Sequence, residues 1–243
     1  MSFVRPAQVP RGPVLAPPRV VDLAAGDPIT PVWVNEVGGL TFQLGDGDTR
    51  RFAKWAPHGR GLDLAGESAR LRWAVDHAPV PRVLDEGRDD DAEWLVTAGL
   101  PGRSAVDDRW LADPARAVPA CGRALRAFHD TVPVDGCPFD WSIEERAAGS
   151  TFDTRDAPPI DRLVVCHGDP CVPNTILNDD GSWSGMVDLD ALGTADRWAD
   201  IAVATMSLTW NYGPGWDAPF LEAYGVDDDP ARIEFYRSLW NRT

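Results

Sequence analysis

The order of patterns along this 243-residue chain predicts an α+β fold. Short runs of alternating apolar residues crowd the first hundred positions, segments of helical periodicity fill the remainder, and a Gly/Pro stretch lies between them. Strands that come first and helices that follow describe an α+β arrangement, not the repeated strand–helix alternation of a parallel sheet. The length suffices for one large domain or for two small lobes sharing a cleft, with ample residues to bury a core.

Residues 1–31 form a leader holding Pro6, Pro10, Pro13, Pro17, Pro18, Pro28 and Pro31, so long regular elements are not expected before Val32. Val32-Trp33-Val34, the turn Asn35-Glu36-Val37-Gly38-Gly39-Leu40 and Thr41-Phe42-Gln43-Leu44 read as strand, glycine turn and strand. Paired glycines let backbone N–H groups approach phosphate oxygens, so Gly38 and Gly39 are either a plain hairpin turn or a lid over a nucleotide. Arg51-Phe52-Ala53-Lys54-Trp55-Ala56 alternates as a strand, and Glu67 opens a helical pattern that continues through Leu71, Trp73 and Ala74. Lys54 is the only lysine among 23 Lys plus Arg residues, which marks a place where a compact ammonium serves and a planar guanidinium does not. A strand lysine followed by a helix glutamate is the pairing of a kinase small lobe.

Glu93 to Gly102 is an apolar strand running into glycine and proline, a hinge whose backbone at Val96 and Ala98 is placed to hydrogen-bond adenine. Residues 1–98 are accordingly expected to form a nucleotide-binding lobe, and 99–243 a catalytic and substrate-binding lobe. Ala120 to His129 has helical spacing through Leu125 and Phe128, with His129 read as a satisfied packing histidine. Thr194 to Thr205 reads as a helix with Asp196 as a cap, and Ile233 to Trp240 as a last amphipathic helix.

The formal net charge is -15 and the pI about 4.5. Such a chain repels nucleic acid and anionic membranes and attracts a polycationic small molecule. Cys121, Cys137, Cys166 and Cys171 show neither zinc spacing nor a disulfide framework, so reduced packing thiols are expected. The N-terminus lacks the apolar core of a signal peptide, and no run reaches membrane-span length, which points to the cytoplasm.

The chemistry concentrates between Leu163 and Asp190, LVVCHGDPCVPNTILNDDGSWSGMVDLD. Asp169 beside a His-Gly pair can orient a hydroxyl proton, Asn174 offers a neutral oxygen to a metal, and Asp188 after an apolar strand offers a charged one. Thr175–Leu177 and Trp183–Leu189 read as strands joined by Asn178-Asp179-Asp180-Gly181. With Asp180 and Gly181 as central turn residues, Asn174 falls opposite Val187, one step from Asp188. Both oxygen donors then share the open end of one hairpin.

These residues resemble the aminoglycoside phosphotransferases, in particular the 3'-phosphotransferases. The resemblance spans Val32 to Trp240 and rests on HGDPCVPN (His167–Asn174), MVDLD (Met186–Asp190) and GTADRWADIAVAT (Gly193–Thr205). It implies a bilobal protein-kinase-like fold with a small β-rich lobe and a larger helical one. It implies further that Asp169 is the catalytic base, that Asn174 and Asp188 hold Mg²⁺, and that Lys54 contacts ATP phosphates while paired with Glu67. By the same resemblance Arg197 is a substrate-side arginine and Asp200 braces the catalytic loop. Between Phe139 and Leu163, a segment that looks shorter than in related enzymes, Asp140, Glu144, Glu145, Asp153, Asp156 and Asp161 are placed to meet ammonium groups. The implied reaction moves the ATP γ-phosphate to an aminoglycoside hydroxyl. A kinase of another hydroxylated metabolite and a nucleotide-binding module without catalysis are the competing readings.

Overall fold

The computed structural model describes residue 10 and residues 12–35, 37–59 and 61–243. Residues 1–9 and Arg11 of the leader, Glu36 of the glycine turn and Arg60 lie outside the described residues. The chain divides into two compact units: residues 1–72 with 81–99, and residues 73–80 with 100–243. It passes from the first to the second within a helix at Arg72/Trp73 and again between Gly99 and Leu100.

The first unit opens with α1 (Pro18–Ala24), which starts inside the proline-rich leader because proline at N1 gives up no intrahelical hydrogen bond. Then follow β1 (Ile29–Val34), β2 (Leu40–Leu44), β3 (Arg51–Pro57), α2 (Leu64–Ala74), β4 (Val83–Arg88) and β5 (Ala92–Ala98). The strands make one antiparallel sheet in the order β1-β2-β3-β5-β4. Period-two alternation places Phe42, Leu44, Ala53 and Val96 on one face, and Val20 and Ala24 of α1 close over it. Arg19 of α1 extends over the Trp94 ring at 4.3 Å and reaches the Asp89 carboxylate at 3.2 Å. Asp63 starts α2 by accepting the Gly66 N–H on its side chain at 2.8 Å, which leaves Glu67, Ser68 and Leu71 turned inward.

The second unit holds β6 (Arg103–Ser104), α3 (Asp108–Leu111), α4 (Pro114–Thr131), α5 (Ile143–Ala147), β7 (Leu163–Cys166), β8 (Thr175–Leu177), β9 (Trp183–Met186), β10 (Gly193–Asp196), α6 (Trp198–Tyr212), α7 (Asp217–Tyr224) and α8 (Pro230–Arg242). Its strands form only two small ribbons, β6-β8-β9 and β10-β7. Its core is helical: α4 buries Ala117, Ala120, Ala124, Leu125 and Phe128, and α6 buries Ile201, Val203 and Leu208. Gly122 lets α7 press against α4, since a Cβ there would stand 2.6 Å from the Phe220 carbonyl oxygen. Among the described residues no helix is long and apolar enough to cross a membrane.

Three sequence expectations are corrected here. Thr194–Asp196 is strand, not helix, because the backbone of β10 pairs with β7; α6 starts only at Trp198, whose N–H reaches Asp196 Oδ1 at 3.3 Å. The strand expected to run to Leu189 stops at Met186, because Asp188 has a left-handed φ of 68° that no strand accommodates. In the hairpin turn Gly181 N–H bonds to Asn178 O, so the central residues are Asp179 and Asp180, with Gly181 at φ 80°. That shifts the register by one, and a bulge near Leu177/Trp183 shifts it back, so Thr175 still pairs with Met186.

Candidate active site

The loop segment from His167 to Asn174 is held from beneath by Asp200 on the first turn of α6. Asp200 is fully buried, and its oxygens accept from His167 N–H at 2.6 Å, Gly168 N–H at 2.9 Å and His129 Nε2 at 2.9 Å. Gly168 is obligatory at its position: its φ is 87°, and a Cβ would lie 2.1 Å from the Ala191 carbonyl oxygen. Above this anchor the His167 ring receives the Asp169 N–H on Nδ1 at 3.3 Å and faces the Val187 carbonyl with Nε2 at 2.9 Å. An Nδ1 that accepts requires the proton on Nε2, so one tautomer joins the loop to the backbone beside Asp188.

Asp169 is the least satisfied of the acidic groups here. Its Oδ1 is out of contact with solvent and has no hydrogen-bond partner. Burial pushes its carboxyl above the usual carboxylate range; a Cys171 hydrogen bond works against that, and the Asp188 charge adds to it. Asn174 donates its side-chain N–H to the Asp169 carbonyl at 2.9 Å, and the amide plane then carries Oδ1 on its other edge. Val187 N–H bonds to the Asn174 carbonyl at 3.0 Å, which puts Asn174 and Asp188 at the same end of the β8–β9 hairpin. A charged and a neutral hard oxygen, with a second carboxylate near enough to feel the first, make a donor set suited to Mg²⁺.

In the first unit Lys54 Nζ lies 2.7 Å from both Glu67 Oε1 and Oε2. Glu67 is buried and the Lys54 side chain about one quarter exposed, so the ammonium is held at the sheet surface by a carboxylate inside it. The glycine turn is tied to itself: Gly38 N–H bonds to Asn35 O at 3.3 Å and Gly39 N–H to Asn35 Oδ1 at 2.6 Å. Both N–H groups expected to face phosphate are engaged within the turn. Val96 is likewise not an adenine-facing backbone, because β5 is flanked there by Ala53 of β3 and Asp85 of β4. The Ala98 N–H goes to Arg82 O at 2.9 Å, so that donor is engaged within the unit.

Arg197 bonds to Asp161 at 2.7 Å through Nε, and Trp198 Nε1 joins the same oxygen at 2.9 Å. Burial works against the Asp161 charge, but these bonds and the Arg197 and Arg232 charges hold the carboxyl below its usual range. Glu144 and Glu145 are exposed on the first turn of α5, which Ser142 caps by accepting the Glu145 N–H at 3.2 Å.

Several partners escaped the sequence reading. Ser207 Oγ accepts the Val172 N–H at 3.0 Å and is itself bonded by Asn211 at 3.1 Å, which supports the loop from within α6. Cys171 contacts Asp169, and burial pushes its thiol up, so it is a proton-bearing neighbour and not a nucleophile. His129 is satisfied as expected, but by Asp200 and by the Tyr224 hydroxyl at 2.8 Å. The Val172–Ser207, His129–Asp200 and His129–Tyr224 pairings carry no sequence signal, since they join residues 35, 71 and 95 positions apart. Among the described residues His129, Cys166 and Asp200 bring metal-type donor atoms within 4.8 Å of one another. His129 and Asp200 are bonded to each other and Cys166 donates to the Asp196 carbonyl at 3.5 Å, so these donors are engaged within the protein.

The chain matches the phosphotransferase enzyme family model at residues 34–157 and 151–236. An aminoglycoside 3'-phosphotransferase of Streptomyces fradiae is 35% identical over 83% of this chain and 90% of its own length. A streptomycin 3''-kinase of Streptomyces griseus is 35% identical over 86% and 89%. In structure the chain is similar to an aminoglycoside-3'-phosphotransferase of type VIII, with a TM-score of 0.72 and 29% identity over 89% of this chain and 93% of that one. It is also similar to an aminoglycoside phosphotransferase from Streptomyces rimosus solved with ADP and streptomycin, with a TM-score of 0.68 and 26% identity over 90% and 94%. With its β-sheet unit followed by a helical unit carrying His167–Asn174 and Asp188, the chain belongs to the aminoglycoside phosphotransferase family, a family of phosphotransferase enzymes with a protein-kinase-like fold.

Proposed function

We propose that this enzyme transfers the γ-phosphate of ATP to the 3'-hydroxyl of an aminoglycoside and thereby confers resistance to the antibiotic. The observation that carries the reading is Asp169 Oδ1, a carboxylate oxygen withdrawn from water and left without a partner beside Asn174 and Asp188. An acceptor hydroxyl supplies the missing hydrogen bond, and its proton is then oriented for in-line attack. Asp188 and Asn174 would hold Mg²⁺, which when bound would neutralise charge on the phosphates. Lys54, fixed by Glu67, contacts phosphate oxygens as a point charge, so the first unit is the nucleotide-binding one. The net charge of -15 favours a polycationic acceptor, with Glu144 and Glu145 as exposed carboxylates for its ammonium groups.

Relatives that are aminoglycoside 3'-phosphotransferases support the 3' position, among them one at 35% identity and another, from Streptomyces ribosidificus, at 33%. The streptomycin 3''-kinase at 35% favours a second reading in which the 3''-hydroxyl of streptomycin is the acceptor. ATP consumption measured with kanamycin, neomycin, their 3'-deoxy counterparts, streptomycin and a panel of amino alcohols separates the possibilities. Turnover on kanamycin and neomycin that disappears with the 3'-deoxy compounds is the expected result. Turnover on streptomycin alone moves the assignment to 3'', and turnover on amino alcohols alone replaces the antibiotic with a metabolite.

A further inference from the structure

The buried chain that fastens the catalytic loop does not end at His129. Tyr224, the last residue of α7, is 1% exposed, and its hydroxyl lies 2.8 Å from His129 Nδ1. The rings meet edge to face, with centroids 5.7 Å apart and planes at 75°. The contact is built by packing: Gly122 admits α7 against α4, and the Arg126 guanidinium stands 5.9 Å from the Tyr224 ring centroid. A phenylalanine would fill the same volume, so the hydroxyl contributes a hydrogen bond and not bulk.

We propose that Tyr224 is a positioning residue for phosphoryl transfer, acting through His129 and Asp200 on the backbone of His167 and Gly168. An ionised Asp200 can only accept, so the His129 proton that meets it lies on Nε2, and the phenol then reaches Nδ1 as a donor to a bare nitrogen. Burial pushes the Tyr224 phenol above its ordinary value, so it stays protonated and able to donate. With Nδ1 occupied as an acceptor, the ring proton resides on Nε2, where it is donated to Asp200 Oδ2. Asp200 is then held in the orientation that receives the His167 and Gly168 N–H groups. Asp169 follows directly in the chain, so the rotation of Asp200 is transmitted to the reacting carboxylate through two peptide units. Without the phenol Nδ1 is left bare in the core, the imidazole keeps only one of its two fixed contacts, and the anchor beneath the loop loosens.

The inference rests on the enzyme being a phosphotransferase, but its decisive readouts need no acceptor. In the wild-type protein, ¹⁵N spectra of His129 should show the proton on Nε2 and a bare, hydrogen-bonded Nδ1; the opposite tautomer overturns the proposal even where no variant folds. In Tyr224→Phe the amides of His167 and Gly168 should exchange with solvent about tenfold faster while the α4 amides stay protected, as loss of one buried hydrogen bond warrants. With the acceptor found above, kcat should fall about fivefold to tenfold, with KM for ATP within about twofold of wild type. Tyr224→Phe added to His129→Gln should have little further effect on kcat, because the link is already cut. Unchanged exchange at His167 and Gly168, or a kcat loss that is additive with His129→Gln, assigns Tyr224 to packing alone and ends the proposal.

Discussion

Asp200 has no exposed surface and its two oxygens accept three hydrogen bonds, whereas Asp169, a few residues along the loop that Asp200 anchors, keeps an oxygen withdrawn from water with no partner. The two carboxylates lie in one unit and feel one another's charge. Full satisfaction makes the first an anchor, since moving it would cost every bond at once. Incomplete satisfaction leaves the second able to accept one more hydrogen bond, the place that the proposed function gives to a substrate hydroxyl. The same side chain thus serves rigidity or chemistry according to how many donors the surrounding backbone turns toward it.

Replacing Asp169 with alanine tests the reactive half of this contrast and carries the largest effect: kcat should fall about 10²- to 10⁴-fold, with nucleotide affinity by calorimetry largely retained. Turnover within a few-fold of wild type would remove Asp169 from the chemistry. Asp200→Ala tests the anchoring half. It orphans two backbone N–H groups and an imidazole in the core, and should cost about 3–5 kcal/mol in urea unfolding. A loss below about 1 kcal/mol, the ordinary figure for a surface pair, would show that the anchor is dispensable.

Asp169→Asn sharpens the comparison by separating stability from activity. Because burial raises the folded carboxyl above its unfolded value, stability from this group is present at low pH and is lost as pH rises through the folded value. At neutral pH the ionised side chain is therefore a cost that asparagine removes. The variant should be inactive yet melt higher by roughly 2–4 °C for each kcal/mol relieved, and the difference should vanish as pH is lowered. A lower melting temperature at pH 7 would contradict the strained state assigned to Asp169. The smallest effect is reserved for an exposed pair. Arg155 lies against Asp153, but both are solvated, so Arg155→Ala should leave melting temperature and kcat unchanged, as scanning fluorimetry and the coupled assay would read.

Local patterns made part of this legible. The Lys54–Glu67 ion pair followed from a lone lysine in an alternating strand and a glutamate opening a helix, since side-chain direction in each element is set by its period. The placing of Asn174 opposite Val187 came from hairpin arithmetic and is met by the Val187 N–H bond to the Asn174 carbonyl, although the turn sat one residue away from where Asp-Gly suggested. The error was harmless because a bulge restored the register, and bulges leave no mark in side-chain pattern. Thr194–Asp196 was misread for a related reason. Its backbone partner, β7, lies far away in the chain, and long-range pairing overrode a local helical appearance. Val96 and Ala98 looked available to a ligand only because sequence does not show that β5 has strands on both sides.

The chain by itself determined the order of most elements and singled out the groups proposed to do the chemistry, because periodicity, turn residues and the Asp–Asn–Asp spacing act over a few residues. Tertiary structure alone decided which carboxylate is held and which is strained. Asp200 meets His129 across 71 positions and His129 meets Tyr224 across 95, and such encounters arise from the packing of α4, α6 and α7. Burial and hydrogen-bond supply are properties of that packing, so two aspartates identical in sequence terms acquire opposite duties only once the helices close around them.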